Sequence, residues 1–163
     1  MVKNSKNLLI KLILLISIIA LISAFFIEYI LGHQPCNLCI LERIPYFLAI
    51  IVILLNYKFI EFEKFFILFL TIIFLFGTVL SLYHLGIEQG LIQESLVCDL
   101  KSGSNLLSKE EILKQLQEKS VGCKDVTFKM FGLSLTSYNI LICLLITFGT
   151  GKIYFNYGKN FVG

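Results

Sequence analysis

The residues best suited to do chemistry in this chain lie in one run, Gln34-Pro35-Cys36-Asn37-Leu38-Cys39-Ile40-Leu41-Glu42-Arg43. Cys36 and Cys39 are three positions apart, a spacing at which two thiols close a small, exchangeable disulfide. Arg43 follows four residues after Cys39 and carries a permanent cation, which favours thiolate over thiol. Thiolate is the form that attacks a disulfide. If a helix starts near Cys39, Arg43 lies one turn further on the same face, and the partial positive charge of the helix start acts in the same direction. Two further cysteines, Cys98 and Cys123, fall in the only long polar stretch. The fifth, Cys143, lies inside an apolar stretch, where a thiol is inert.

Composition places these thiols in a membrane. The 163 residues are 57% hydrophobic and only 15% charged, with a mean hydropathy of +0.86. Soluble domains carry about 25% charged residues. The net charge of +3 is spread over single lysines and Arg43, not gathered on the basic face that nucleic-acid binding requires. Four apolar stretches approach the roughly 20 residues that cross a bilayer as a helix. They cover about 8–31, 40–57, 65–85 and 133–150, joined outside by loops at about 32–43 and 86–132. The expected fold is an all-α four-transmembrane-helix bundle, a single domain over 1–163. Pro45 falls in the first turn of the second span, where a missing N–H costs little. The first apolar run continues through Ser23-Ala24 to Leu31, longer than the apolar core of a cleaved signal peptide.

Lysine placement sets the expected orientation. Lys3, Lys6 and Lys11 precede the first span, Lys58 and Lys64 follow the second, and Lys152 and Lys159 follow the fourth. The first outer loop holds only Arg43. The positive-inside rule puts both termini in the cytoplasm. The long loop carries six lysines, which oppose this arrangement. The four cysteines outside the bilayer core favour it, because disulfides persist on the non-cytoplasmic side. Within that loop, Ser102-Gly103-Ser104 reads as flexible. Ser108-Lys109-Glu110-Glu111 has the form of a capping box, and Leu106, Leu107, Ile112, Leu113 and Leu116 recur at helical spacing. A short amphipathic helix on the membrane surface is expected there.

These motifs resemble the DsbB family of bacterial inner-membrane disulfide-generating oxidoreductases. The resemblance rests on Cys36-Asn37-Leu38-Cys39-Ile40-Leu41-Glu42-Arg43 and on Tyr83-His84-Leu85-Gly86 through Glu88-Gln89. It rests also on Cys98-Asp99, on Gly122-Cys123-Lys124-Asp125, and on Phe131-Gly132-Leu133-Ser134 through Tyr138-Asn139. It implies that a reduced periplasmic DsbA-like thiol protein forms a mixed disulfide with Cys98. Cys123 is then the leaving thiol and passes electrons to Cys36, and Cys39 ends the relay beside a membrane quinone, ubiquinone or menaquinone. Arg43 and His84 are the expected quinone-side residues, since a planar guanidinium suits an oxygen gaining negative charge. No metal is assigned, and Cys143 departs from the pattern without an assigned role. Glu42 reads as an interfacial partner for a lysine or arginine, and Glu28 as a headgroup-level carboxylate.

Three other readings compete. A thiolate metal protein suits four cysteines in a tetrahedral site, but 24 residues separate Cys98 from Cys123 with no second C-x-x-C. A structurally stapled membrane protein needs disulfides that resist exchange. An oxidase like vitamin K epoxide reductase places its C-x-x-C in a late helix, whereas here it follows the first.

Overall fold

The computed structural model describes residues 2–93, 123, 129–130 and 132–159. Helix α1 covers Val2–Tyr29, α2 Asn37–Leu41, α3 Ile44–Lys58, α4 Glu63–Glu88 and α5 Leu135–Lys159. A 3-10 turn at Ile60–Phe62 joins α3 to α4. A short antiparallel hairpin, β1 (Lys129–Met130) with β2 (Leu133–Ser134), leads into α5. Four helical segments are long and apolar enough to cross a membrane: Lys6–Tyr29, Asn37–Lys58, Ile60–Glu88 and Leu135–Asn156. The four-helix membrane architecture expected from the apolar runs is therefore present.

The helix bounds differ from the apolar runs for identifiable reasons. Helix α4 runs on to Glu88 because its polar last turns find partners inside the bundle, described below. It stops there in a Schellman motif: the Gly90 N–H bonds the Ile87 carbonyl and the Leu91 N–H bonds the Gly86 carbonyl, both at 2.9 Å. Gly90 takes the positive φ of 73° that this motif demands. The second span is broken. Helix α2 ends at Leu41 and α3 begins at Ile44, with Pro45 in its first turn. At the opposite end of the bundle, Lys6 Nζ meets the Glu63 carboxylate at 2.6 Å, tying the start of α1 to the start of α4.

The core joins all four spans. Ile10 and Ile13 of α1 pack with Tyr46, Ala49, Val52 and Ile53 of α3, with Leu70, Ile73 and Phe74 of α4, and with Cys143 and Ile146 of α5. Gly77 marks one close approach between spans. A Cβ there would stand 3.1 Å from Pro45 Cγ and 3.3 Å from Cys143 Sγ. In lipid, helices gain from such close backbone approach at small residues. The expected amphipathic helix at 108–116 and the flexible segment at 102–104 lie outside the described residues.

Candidate functional site

Cys36 is the N-cap of α2. Its sulfur accepts from the Cys39 backbone N–H at 3.3 Å, and the side chains of the two cysteines meet at 2.7 Å. The helix start therefore favours Cys36 and not Cys39, contrary to the expectation from spacing. Cys36 itself is extended, with φ −71° and ψ 167°, and the helix begins at Asn37, two residues before Cys39. The Cys39 thiol donating to it holds Cys36 well below the ordinary thiol range, at about 5. The His84 ring adds to this by hydrogen bond and charge, while burial opposes it.

Behind Cys36 stands a buried polar chain. His84, at 1% exposure, places Nε2 3.5 Å from Cys36 Sγ and Nδ1 2.8 Å from Glu42 Oε1. The Thr136 hydroxyl lies 3.3 Å from the same Nδ1 and donates to Glu88 Oε1 at 2.6 Å. Its proton being committed to Glu88, Thr136 offers Nδ1 only a lone pair, and the Glu42 carboxylate does the same. Both neighbours thus call for a proton on Nδ1. Nε2 is left to serve Cys36, as acceptor from the thiol or as donor to the thiolate. The result is a thiol–imidazole–carboxylate arrangement that holds a nucleophile, its base and the group orienting that base.

Glu42 is held from its other side. Asn139 Nδ2 donates to Glu42 Oε2 at 3.1 Å and to Ser81 Oγ at 2.7 Å, and Asn139 Oδ1 accepts from the Tyr46 hydroxyl. Glu42 is thus an interior partner of a histidine and an asparagine, not of a surface cation. Cys143, fully buried, touches the same asparagine and Tyr46 at 3.7 and 3.6 Å.

A cavity of about 480 Å³ opens in front of the thiols. Ile16, Ile19, Ala20 and Ile27 of α1 form an apolar wall, and Ile142 and Tyr138 of α5 face it. Its polar end carries Cys36, Cys39, Arg43, Glu28, His33 and Glu88. Arg43 Nη1 donates to Glu28 Oε2 at 2.5 Å, and its guanidinium lies 5.2 Å from the centre of the Phe25 ring. Glu28 is therefore the partner of Arg43 at the cavity and not an isolated headgroup-level carboxylate. His84 is not among the lining residues. It contacts the cavity through Cys36, Glu42, Thr136 and Glu88, which do line it.

Cys123 is buried at 2% exposure and engaged in a disulfide. It packs in one cluster with Cys36, Leu38 and Ile87, while Cys36 and Cys39 are free thiols. Cys98 lies outside the described residues.

The sequence matches the family of the disulfide bond formation protein DsbB over residues 6–151. The chain belongs to the DsbB family. A DsbB-family chain is a membrane oxidoreductase of disulfide bond formation, and the four spans and clustered cysteines suit that activity. The protein is also 34% identical over 161 residues to an uncharacterized protein of Rickettsia prowazekii (strain Madrid E), with 94% of this chain and 92% of that one covered. No solved structure matches it.

Of the DsbB-type site residues expected from sequence, the structure brings Cys36, Cys39, Cys123 and His84 together, with Arg43 on the same cavity as the two thiols. It adds Glu42, Asn139, Thr136, Glu88, Glu28 and His33, which spacing alone did not single out. One signal was available: Gly77, Ser81, His84 and Glu88 recur at helical spacing in an otherwise apolar span, a stripe of small and polar residues that must face protein. The described residues also include one group able to hold a metal ion, Cys36, Cys39 and His84, whose ligand atoms all lie within 4.8 Å of one another.

Proposed function

We propose that this protein draws electrons from a reduced, soluble DsbA-like thiol protein and delivers them to a membrane quinone, ubiquinone or menaquinone, forming one new disulfide per cycle. The single observation that carries this reading is the cavity, which joins a lipid-like wall of α1 side chains to the Cys36–Cys39 pair and Arg43. Its volume lies in the usual range for small-molecule sites, about 300–1,000 Å³. An apolar tail suits the α1 wall, and a ring with carbonyl oxygens suits the guanidinium and the imidazole of His33 at the polar end. The residues present therefore fit a quinone, with Arg43 and His33 as its polar contacts. A bound quinone supplies a sink for two electrons and two protons.

The steps assigned to the chain are thiol exchanges. A partner thiolate attacks Cys98 and Cys123 departs as thiolate. Cys123 attacks the Cys36–Cys39 disulfide at Cys36, and Cys39 departs. The partner's second thiol then displaces Cys98, Cys98 attacks Cys123 of the Cys36–Cys123 disulfide, and Cys36 departs. This closes the loop disulfide and leaves Cys36 and Cys39 reduced, the electron-loaded form that the free dithiol and the oxidised Cys123 match. His84 Nε2 takes the Cys36 proton, Glu42 keeps the ring oriented, and Cys36 bonds Cys39 as two electrons and the Cys39 proton leave into the cavity. Arg43 stabilises negative charge arriving there, exchanging part of its pairing with Glu28. In this reading both termini are cytoplasmic, the cysteines face the periplasm, and the bilayer is the bacterial inner membrane.

The test is purified protein in lipid, with a reduced DsbA-like protein as electron donor and quinone absorbance as readout. Quinone reduction stoichiometric with donor oxidation is expected. Donor oxidation without quinone reduction, or neither, in correctly inserted protein overturns the proposal.

A further inference from the structure

We propose that the reduced site is also a binding site for a thiophilic divalent cation of the zinc class, with Cys36, Cys39 and His84 as ligands, and that occupancy locks the dithiol reduced. The inference concerns a second ligand of these residues and does not depend on the identity of the electron acceptor.

The geometry carries it. Tetrahedral zinc with bonds of about 2.3 Å to sulfur and 2.0–2.1 Å to nitrogen separates a sulfur from a nitrogen ligand by about 3.6 Å and two sulfurs by about 3.8 Å. Cys36 Sγ and His84 Nε2 are already 3.5 Å apart. The two sulfurs stand at 2.7 Å, so Cys39 alone must rotate, and it is the half-buried member of the pair, facing the cavity. His84 presents the right atom: Nδ1 is committed to Glu42 and Thr136, leaving Nε2 aimed at the thiols. A carboxylate behind a ligating histidine is the usual support of such sites, fixing the ring and strengthening its nitrogen. Here that carboxylate is itself held by Asn139. The fourth position faces the cavity, which gives the ion its route in. Glu88 Oε1, 3.8 Å from Nε2, is within reach of it.

Redox state gates the site. Binding one divalent cation releases the Cys39 thiol proton and the proton shared between Cys36 and His84 Nε2, and places both sulfurs on the metal. A Cys36–Cys39 disulfide offers no thiolate, so the oxidised form has no site. The bound form in turn cannot close its disulfide until the ion leaves. Such an ion halts the relay in its electron-loaded state.

The experiment uses the full chain in lipid with Cys98 and Cys123 changed to Ser, reduced with a phosphine that is then removed. Zn²⁺ is titrated against a chromophoric chelator. One Zn²⁺ per chain is expected in the reduced form and none after oxidation. Glu42→Gln, which preserves shape, should weaken binding about 10- to 100-fold. His84→Ala should weaken it at least as much, and Cys143→Ser should leave it unchanged. In the unmutated reduced protein, Zn²⁺ should shield Cys36 and Cys39, but not Cys143, from alkylation read by mass spectrometry. Absence of stoichiometric binding overturns the proposal. So does equal binding by oxidised protein, or affinity indifferent to both Glu42→Gln and His84→Ala.

Discussion

Removing the imidazole behind Cys36 should raise the pH at which that thiol titrates. Cys36 is held at about 5 by the Cys39 hydrogen bond first and by His84 second. The sign follows directly. A lowered thiol value means that thiolate persists at neutral pH and is lost only as pH falls through about 5. A hydrogen bond to a charged group contributes roughly 1.5–3 kcal/mol, equivalent to about 1–2 pH units. In His84→Gln the inflection should therefore rise to about 6–7. At pH 5 the thiolate fraction would drop from about one half to about 1–10%, a roughly 5- to 50-fold slower alkylation, whereas at pH 8 the rates would nearly coincide. The assay is iodoacetamide labelling of the reduced protein in lipid, with a chelator present, followed by mass spectrometry of the peptide containing Cys36. Glu42→Gln should shift the inflection the same way by a smaller amount, because the ring remains but loses the carboxylate that favours its protonated form. An inflection that stays near 5 in both variants, with the helical signal intact, refutes the assignment of His84 as the base of Cys36.

Other outcomes test neighbouring parts of the site. Arg43→Lys keeps the charge but loses the planar fork and should weaken quinone use with thiol exchange at Cys98 intact. Arg43→Ala should cost about 2–4 kcal/mol, roughly 30- to 1,000-fold in quinone-dependent rate, measured by steady-state kinetics at varied quinone. Cys123→Ser should prolong a mixed disulfide between Cys98 and the donor protein, visible as a reductant-sensitive band on non-reducing gels. Gly77→Ala pushes a methyl toward Pro45 and Cys143 and should destabilise the bundle by about 1–3 kcal/mol, read as a lower melting temperature in detergent. Reporter fusions after Gln34 should be periplasmic and after Lys58 cytoplasmic.

The four spans were legible because hydropathy acts locally: a helix in lipid needs an unbroken apolar run, and the chain shows it. The thiol pair was legible because its spacing is itself the chemistry. The carboxylates were not. Glu42 meets His84 and Asn139 across 42 and 97 positions of sequence, and Glu28 meets Arg43 from the preceding helix. A charge at a span end looks the same in sequence whether it snorkels or turns inward. The capping of α2 by Cys36 was missed for a different reason. The second span was read as one helix, whereas the turn at Glu42 and Arg43 divides it and moves the helix start two residues ahead of Cys39.

The Lys6–Glu63 pair bears on how the protein is made. Its halves are 57 positions apart, so during synthesis the first segment reaches the bilayer long before its counter-ion exists. A lysine at a segment end is accommodated by reaching toward the headgroups, with its methylene stem in the apolar layer. That leaves the depth of α1 adjustable until Glu63 emerges. The pair then fixes the depth of α1 against α4. The apolar wall that α1 supplies to the cavity is positioned only after the third hydrophobic segment has been inserted, and the thiols of α2 wait in the growing chain for that wall to arrive.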